Sequence, residues 1–252
     1  MKTIILSDVH LDASPLGRDR IAAFVDYLTQ LQQADVKRLI ILGDLFDFWF
    51  EYRHVVFSGY FEVLRAFAAL REQGVELHLV CGNHDFWAGR FLRDHLNFSI
   101  YPDATIMDFN GRRVLLSHGD GLNKKDWIYR LYKPIARARL VVWLFSLLHP
   151  DWAMTIAQRV SRTSRRLANH KDPSKGSEAL ALRDCAIQSL KDGKADVVIF
   201  GHAHAPLCET HPTPDGTGQY INTGDWMVHR SQVEWDGAEF RLSCVARECS
   251  AG

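Results

Sequence analysis

Apolar residues fall in short runs through the first third of the chain. Thr3 to Leu6, Arg38 to Leu42 (Arg-Leu-Ile-Ile-Leu) and Glu76 to Cys81 are mostly apolar and bounded by polar or glycine residues. Such runs read as strands covered on both faces. Between them, Ile21 to Leu31 and Phe61 to Arg71 repeat apolar residues at helical spacing, and Gly74 stands where the second helix should stop. The β-α-β-α-β order predicts a largely parallel sheet in an α/β domain, with ligands gathered at the carboxyl ends of its strands.

After Asp103 the texture changes. Thr105 to Phe109, Asn110-Gly111 and Arg112 to Ser117 read as a hairpin on a favoured turn dipeptide. Residues 125–171 have helical texture and form an insertion. Within it, Leu140 to Leu148 is nine residues with one polar member, far too short to cross a bilayer. Ser177 to Leu190 predicts another helix and Asp196 to Phe200 another strand. Asp215-Gly216 and Asp236-Gly237 mark two further hairpins. No repeat is present, so one domain over 1–252 carrying a helical insertion at 125–171 is expected.

Composition changes this picture little: 252 residues, 47% hydrophobic and 24% charged, are ordinary for a globular protein. The apolar opening is too short for a secretory signal. Five cysteines without a CxxC spacing argue for free thiols in a reducing cytosol and against a thiolate zinc site. Charge changes it more. The formal net charge is zero, yet Lys124 to Lys175 holds twelve Lys/Arg against three Asp/Glu, a local +9 balanced by −9 elsewhere. Such a segment suits an anionic partner; the plainer alternative is a solvated helical face.

Five short pieces place metal-ligand types at the expected strand ends: Asp8-Val9-His10, Gly43-Asp44, Gly82-Asn83-His84-Asp85, His118-Gly119-Asp120 and Gly201-His202-Ala203-His204. Asp8 and His10, like His202 and His204, are two apart, so each pair can point to one face. Imidazole and carboxylate without thiolate suit Mn²⁺, Zn²⁺ or Fe²⁺. Two such cations side by side can clamp a phosphate and make hydroxide from water at neutral pH.

These blocks resemble the calcineurin-like metallophosphoesterase family, with its DxH, GDxxD, GNHD, HGD and GHxH motifs in the same order. The second block here is Gly43-Asp44-Leu45-Phe46-Asp47. The resemblance implies a four-layer α/β sandwich of two sheets flanked by helices. It implies two divalent ions, Mn²⁺ first in expectation. Asp8, His10, Asp44 and His204 would hold one; Asp44, Asn83, His118 and His202 would hold the other, with Asp44 bridging. Asn83, His84 and His202 would meet the substrate phosphate. His84 would act as charge clamp or proton donor, with Asp85 orienting it or, alternatively, capping a helix. Asp47 and Asp120 are expected to support the ligands.

Within that family the chain is similar to the branch that hydrolyses UDP-2,3-diacylglucosamine in lipid A synthesis. The likeness lies in Asp8-Val9-His10-Leu11, Ile41 to Trp49, the place of the insertion, and Gly224-Asp225-Trp226. It implies substrate contacts at Asp126, Tyr129, Ser164 and Lys171, with UMP and 2,3-diacylglucosamine 1-phosphate as products. It also implies a cytoplasmic enzyme peripheral to the anionic inner face of the inner membrane. His84 departs from the pattern, because that branch carries Arg there and Arg gives a planar, permanent charge. The departure favours another nucleotide diphosphate, a cyclic nucleotide or a phospholipid as alternative substrates. In the insertion, Trp127, Tyr129, Tyr132, Trp143 and Trp152 accompany Arg137, Arg139, Arg159, Arg162, Arg165 and Arg166. The insertion reads either as a small subdomain with its own core or as a cap, with Trp143, Leu144 and Leu147 lining an acyl chamber. A groove tracking nucleic acid would not need that apolar run, so no nucleic acid is expected. A scaffold that had lost catalysis would lack several ligands, and none is missing.

Overall fold

A computed structural model describes residues 2–156, 159 and 176–244. Two sheets lie face to face between helical layers. The first has the order β11-β10-β1-β2-β3-β4, with β1 Lys2–Leu6, β2 Val36–Leu42, β3 Glu76–Val80, β4 Ser99–Tyr101, β10 Ser231–Trp235 and β11 Phe240–Cys244. The second has the order β5-β6-β7-β9-β8, with β5 Thr105–Phe109, β6 Arg112–Ser117, β7 Val197–Phe200, β8 Leu207–Thr213 and β9 Gly216–Asn222.

Alternating side chains of each strand serve two cores. Ile5, Ile40, Leu42 and Val80 face Val114, Leu116, Val197, Ile199 and Ile221 of the opposite sheet. The intervening Ile4, Leu6, Leu39, Ile41, Leu77 and Leu79 pack against helices α1 (Arg18–Gln33) and α2 (Phe61–Glu72). On the far side, Val198, Phe200 and Tyr220 take Leu182, Ala186 and Leu190 of α6 (Ser177–Lys191). Both faces are covered at the central strands β1, β2, β3 and β7, which is why these read as nearly unbroken apolar runs.

The expected four layers are therefore present. β1 to β4 are parallel, but the hairpin β10–β11 adds an antiparallel edge beside β1. Two short elements go beyond the sequence reading: α3 (Arg90–Leu96) and β4. α3 buries only Leu92 and Leu96 and stops at Asn97 in the left-handed region, too brief for a periodic signal. Cys81, Cys185 and Cys208 are free thiols, as expected, but Cys244 at the end of β11 is disulfide-bonded.

The insertion is helical where described: α4 (Trp127–Ala136), α5 (Arg139–Ser146) and 150–156. It docks through few contacts. Phe145 meets Phe48, Phe50 and Trp87, whose indole N–H donates to the Ala136 carbonyl at 3.0 Å. Lys133 pairs with Asp120 at 2.7 Å, and Arg137 with Asp103 at 2.8 Å. The expected apolar chamber is not seen among the described residues. Trp143, Leu144 and Leu147 are 56%, 51% and 64% exposed, because α5 turns its single docking ring inward and leaves the rest outward. No helix among the described residues is long and apolar enough to cross a membrane.

Candidate metal centre

Asp8 and His10 follow β1, Asp44 follows β2, Asn83 and His84 follow β3, His118 follows β6, and His202 and His204 follow β7. The carboxyl ends of five strands from both sheets thus meet at one place. The loops beyond β1 and β2 remain paired past the sheet, with His10 N donating to Asp44 O at 2.9 Å and Leu11 N to Leu45 O at 2.9 Å. Gly43, at φ +76°, lets β2 turn into the site; a Cβ there would lie 2.7 Å from both Gly82 and the His118 ring.

Five of these side chains stand on left-handed backbone: Asp8, His10, Asp44, His202 and His204, with φ from 48° to 66°. Each such non-glycine residue costs about 1–3 kcal/mol and persists only where the surroundings impose it. Their clustering is an independent mark of a functional site. Beyond the strand ends this backbone lets Asp8 and His10 meet in one triad, while His202 and His204 turn to different triads.

The side chains form a continuous cluster around Asp44. Asp44 Oδ2 lies 3.4 Å from His118 Nε2, 3.6 Å from His10 Nε2 and 3.9 Å from His84 Nε2. Asp8 Oδ1 lies 3.3 Å from His204 Nε2 and 3.7 Å from His10 Nε2. His118 Nε2 is 3.1 Å from both Asn83 Oδ1 and His202 Nδ1. Three overlapping triads result: Asp8, His10 and His204; His10, Asp44 and His84; and Asp44, His118 and His202.

This donor set fits divalent cations. Ligands bonded at roughly 2.0–2.2 Å sit about 3 Å apart when adjacent, close to the spacings found. Asp8 Oδ1 is buried without a hydrogen-bond partner, an oxygen that a cation would satisfy. His118 Nδ1 lies 2.8 Å from the Leu42 carbonyl, which takes its N–H and leaves the Nε2 lone pair for the cluster.

Without a cation, the same buried carboxylates favour protons on the neighbouring rings, which a cation would displace. Burial opposes charge on Asp8 and Asp44, but His204 beside the first and His118 beside the second hold both carboxyls well below the ordinary range. Burial likewise opposes a proton on His118 and His10, yet Asp44 keeps His118 well above the usual value, and Asp47 and Asp8 raise His10 to about 10. His84 differs: burial outweighs Asp44, and its pKa is lowered.

His84 Nδ1 lies 2.8 Å from the Asp47 carbonyl, which directs Nε2 toward Asp44. Asp47 therefore orients His84 through its backbone and His10 through its carboxylate, at 3.3 Å. Asp85 does neither of the things expected of it. It is buried and accepts from Gly82 N at 2.7 Å and Leu45 N at 2.8 Å, stitching the end of β2 to that of β3. Those two amides need acceptors because both strands have stopped pairing there. Burial, then Asp44, push its carboxyl up to about 6.

Of the expected substrate contacts, Asp126 caps α4 by accepting from Tyr129 N at 3.2 Å, and the Tyr129 hydroxyl donates to Asp120 at 2.6 Å. Asp120 thereby anchors the insertion through Tyr129 and Lys133. Ser164 and Lys171 lie outside the described residues. Sequence reading missed the hydroxyls behind Asp8. Ser7 Oγ donates to Asp8 Oδ2 and lies 2.6 Å from Thr223 Oγ1, while Trp226 N donates to the Asp8 carbonyl at 3.2 Å. Only the nearness of Ser7 to Asp8 and of Thr223 to Gly224-Asp225-Trp226 could have hinted at them.

The family model for calcineurin-like phosphoesterases matches residues 1–206. The chain belongs to that family. The phosphoesterase is also similar over nearly its whole length to proteins named UDP-2,3-diacylglucosamine hydrolase. That of Porphyromonas gingivalis is 30% identical, covering 97% of each chain. That of Aeromonas hydrophila is 31% identical, covering 96% of this chain and 98% of its own. That of Nitrosococcus oceani is 31% identical, covering 96% and 94%.

Proposed function

We propose that this phosphoesterase holds two divalent cations, Mn²⁺ foremost, and hydrolyses the diphosphate of UDP-2,3-diacylglucosamine. Asp8, His10, Asp44 and His204 would hold one ion and Asp44, Asn83, His118 and His202 the other. The observation that carries the metal reading is Asp44, whose carboxylate is shared by two triads. The substrate is supported by the names of the relatives and by the apolar, exposed insertion above the site. Bound cations would supply Lewis acidity toward the phosphate oxygens and a hydroxide at neutral pH.

The chain's own groups do the rest. Asn83, His84 and His202 line the place where the phosphate would sit. Water adds to the phosphorus on the uridine side, the bridging P–O bond breaks, and the lipid 1-phosphate leaves. That leaving group is itself a phosphate, whose second pKa is about 6, so it departs with little help from a proton donor. A His84 ring kept neutral by burial suits such a reaction. An alkyl phosphodiester would demand a protonated ring, and His84 in place of Arg is what favours that second reading.

The lipid reading places the enzyme in the cytoplasm against the inner face of the inner membrane. The apolar outer side of α4 and α5 would face the bilayer, and exposed Lys124, Lys125, Arg130 and Arg139 its anionic head groups. Asp126, Tyr129, Ser164 and Lys171 are the substrate contacts this reading assigns.

The test is hydrolysis in ¹⁸O-water with Mn²⁺, read by mass spectrometry. One ¹⁸O in UMP and none in the lipid phosphate is expected. Failure to release UMP under conditions that cleave bis-nitrophenyl phosphate would favour the phosphodiesterase reading.

A further inference from the structure

We infer that Glu178 is a positioning residue for the second cation, holding His202 by its outer ring nitrogen and tying that ligand to both stems of the helical insertion. The inference rests on the two-cation reading above and adds to it a group outside all five motif blocks.

The His202 ring stands between the cluster and this carboxylate. Its Nδ1 lies 3.1 Å from His118 Nε2, on the cluster side. Its Nε2 lies 3.5 Å from Glu178 Oε1, on the opposite side. An imidazole that presents a lone pair through one nitrogen carries its proton on the other, and an acceptor there fixes both tautomer and ring plane. His118 meets that need with the Leu42 carbonyl. His202 sits beyond the end of β7, on left-handed backbone at φ 66°, and the Glu178 carboxylate stands 3.5 Å away where such an acceptor is needed.

Glu178 is itself held. Its Oε2 accepts from Asn123 Nδ2 at 2.7 Å, and Asn123 Oδ1 accepts from Lys125 N at 3.0 Å. Asn123 lies just before the insertion, and Glu178 lies in the first turn of α6 just after it. Their hydrogen bond therefore closes the insertion at its base. Four residues along α6, Leu182 presses on the loop after β6, where a Cβ on Gly119 would lie 2.7 Å from it. The start of α6 is thus seated against the metal cluster by packing as well as by polar contact.

The decisive measurement is Mn²⁺ titration of the full chain, followed by electron paramagnetic resonance and by chelator competition. The exchange-coupled signal of a filled pair is distinct from that of a single ion. Glu178→Ala should weaken the second ion by about 10–100-fold, the usual cost of losing such an outer partner, and leave the first unchanged. Glu178→Gln keeps an acceptor oxygen and should recover most of the loss. Urea unfolding of the metal-free Glu178→Gln variant should match the wild type, since Gln keeps an acceptor for Asn123 Nδ2. Glu178→Ala that binds both ions like the wild type, or weakens both equally, overturns the inference. A wild type binding fewer than two ions would instead overturn the two-cation reading, whatever Glu178 does.

Discussion

The sandwich and its insertion solve opposite problems. Around the cluster, the ligands stand at strand ends, and several have a partner behind them: Leu42 behind His118, Ser7 behind Asp8 and Asp47 behind His10, as it is behind the neighbouring His84. The insertion is held by Phe145 on Trp87, by Met154 against the core, by Tyr129 on Asp120 and by the ion pairs of Lys133 and Arg137, and it turns large apolar side chains outward. Chemistry that depends on distances of a few tenths of an ångström needs the first kind of region. Recognition of the proposed amphiphilic substrate would be served by the second. The contrast teaches that damage to the frame should cost turnover of every substrate, while damage to the insertion should be selective.

The largest effect should come from Asp44, which both ions would share. Asp44→Ala should lower turnover by about 10³-fold or more on any phosphoester and reduce bound metal. Full metal content and normal rates in that variant would break the comparison at its centre. His84 sharpens it. His84→Ala should cost about 10²–10⁴-fold on an alkyl phosphodiester if the ring donates a proton, and far less on a diphosphate. If the ring is only a clamp, both substrates should suffer alike and His84→Arg should retain activity.

The insertion comes next. Leu144→Asp should reduce kcat/KM on the diacylated substrate by about 10-fold or more, the scale on which one apolar group in a binding site discriminates, and weaken flotation with anionic vesicles. A small nitrophenyl diester should be cleaved as before. Equal losses on both would return Leu144 to a plain structural role.

Two smaller effects probe the frame itself. Asp85→Ala leaves two buried amides unpaired, at about 1–3 kcal/mol each, measurable by urea unfolding. Proton competition gives the other. Metal-free His118 and His10 hold protons above the ordinary imidazole range, because Asp44 at one and Asp47 and Asp8 at the other outweigh burial. Each proton that a cation displaces makes affinity rise about tenfold per pH unit below that pKa. Mn²⁺ binding should therefore strengthen from pH 6 to pH 8, read by chelator competition.

The frame was legible because its signals are local. Largely apolar runs ended in a ligand block, three of them through a glycine, and each block announced itself without its partners. What the sequence hid was tertiary. The task of Asp85 depends on two strands ending side by side, which no spacing reveals. Ser7, Thr223 and Glu178 are ordinary in type and act only through a neighbour. The outward face of α5 looked like a chamber wall because an apolar stripe does not say which side is covered.

The links from Asp8 to Thr223 and Trp226 have a consequence in time. Asp8 emerges before every other ligand and waits for the turn between β9 and β10 before its supports exist. At about 5–20 residues per second, the intervening chain takes about 10–40 s to make. The cluster cannot be assembled piecemeal as its blocks emerge. Its Asp8 corner closes only once Thr223 and Trp226 have emerged.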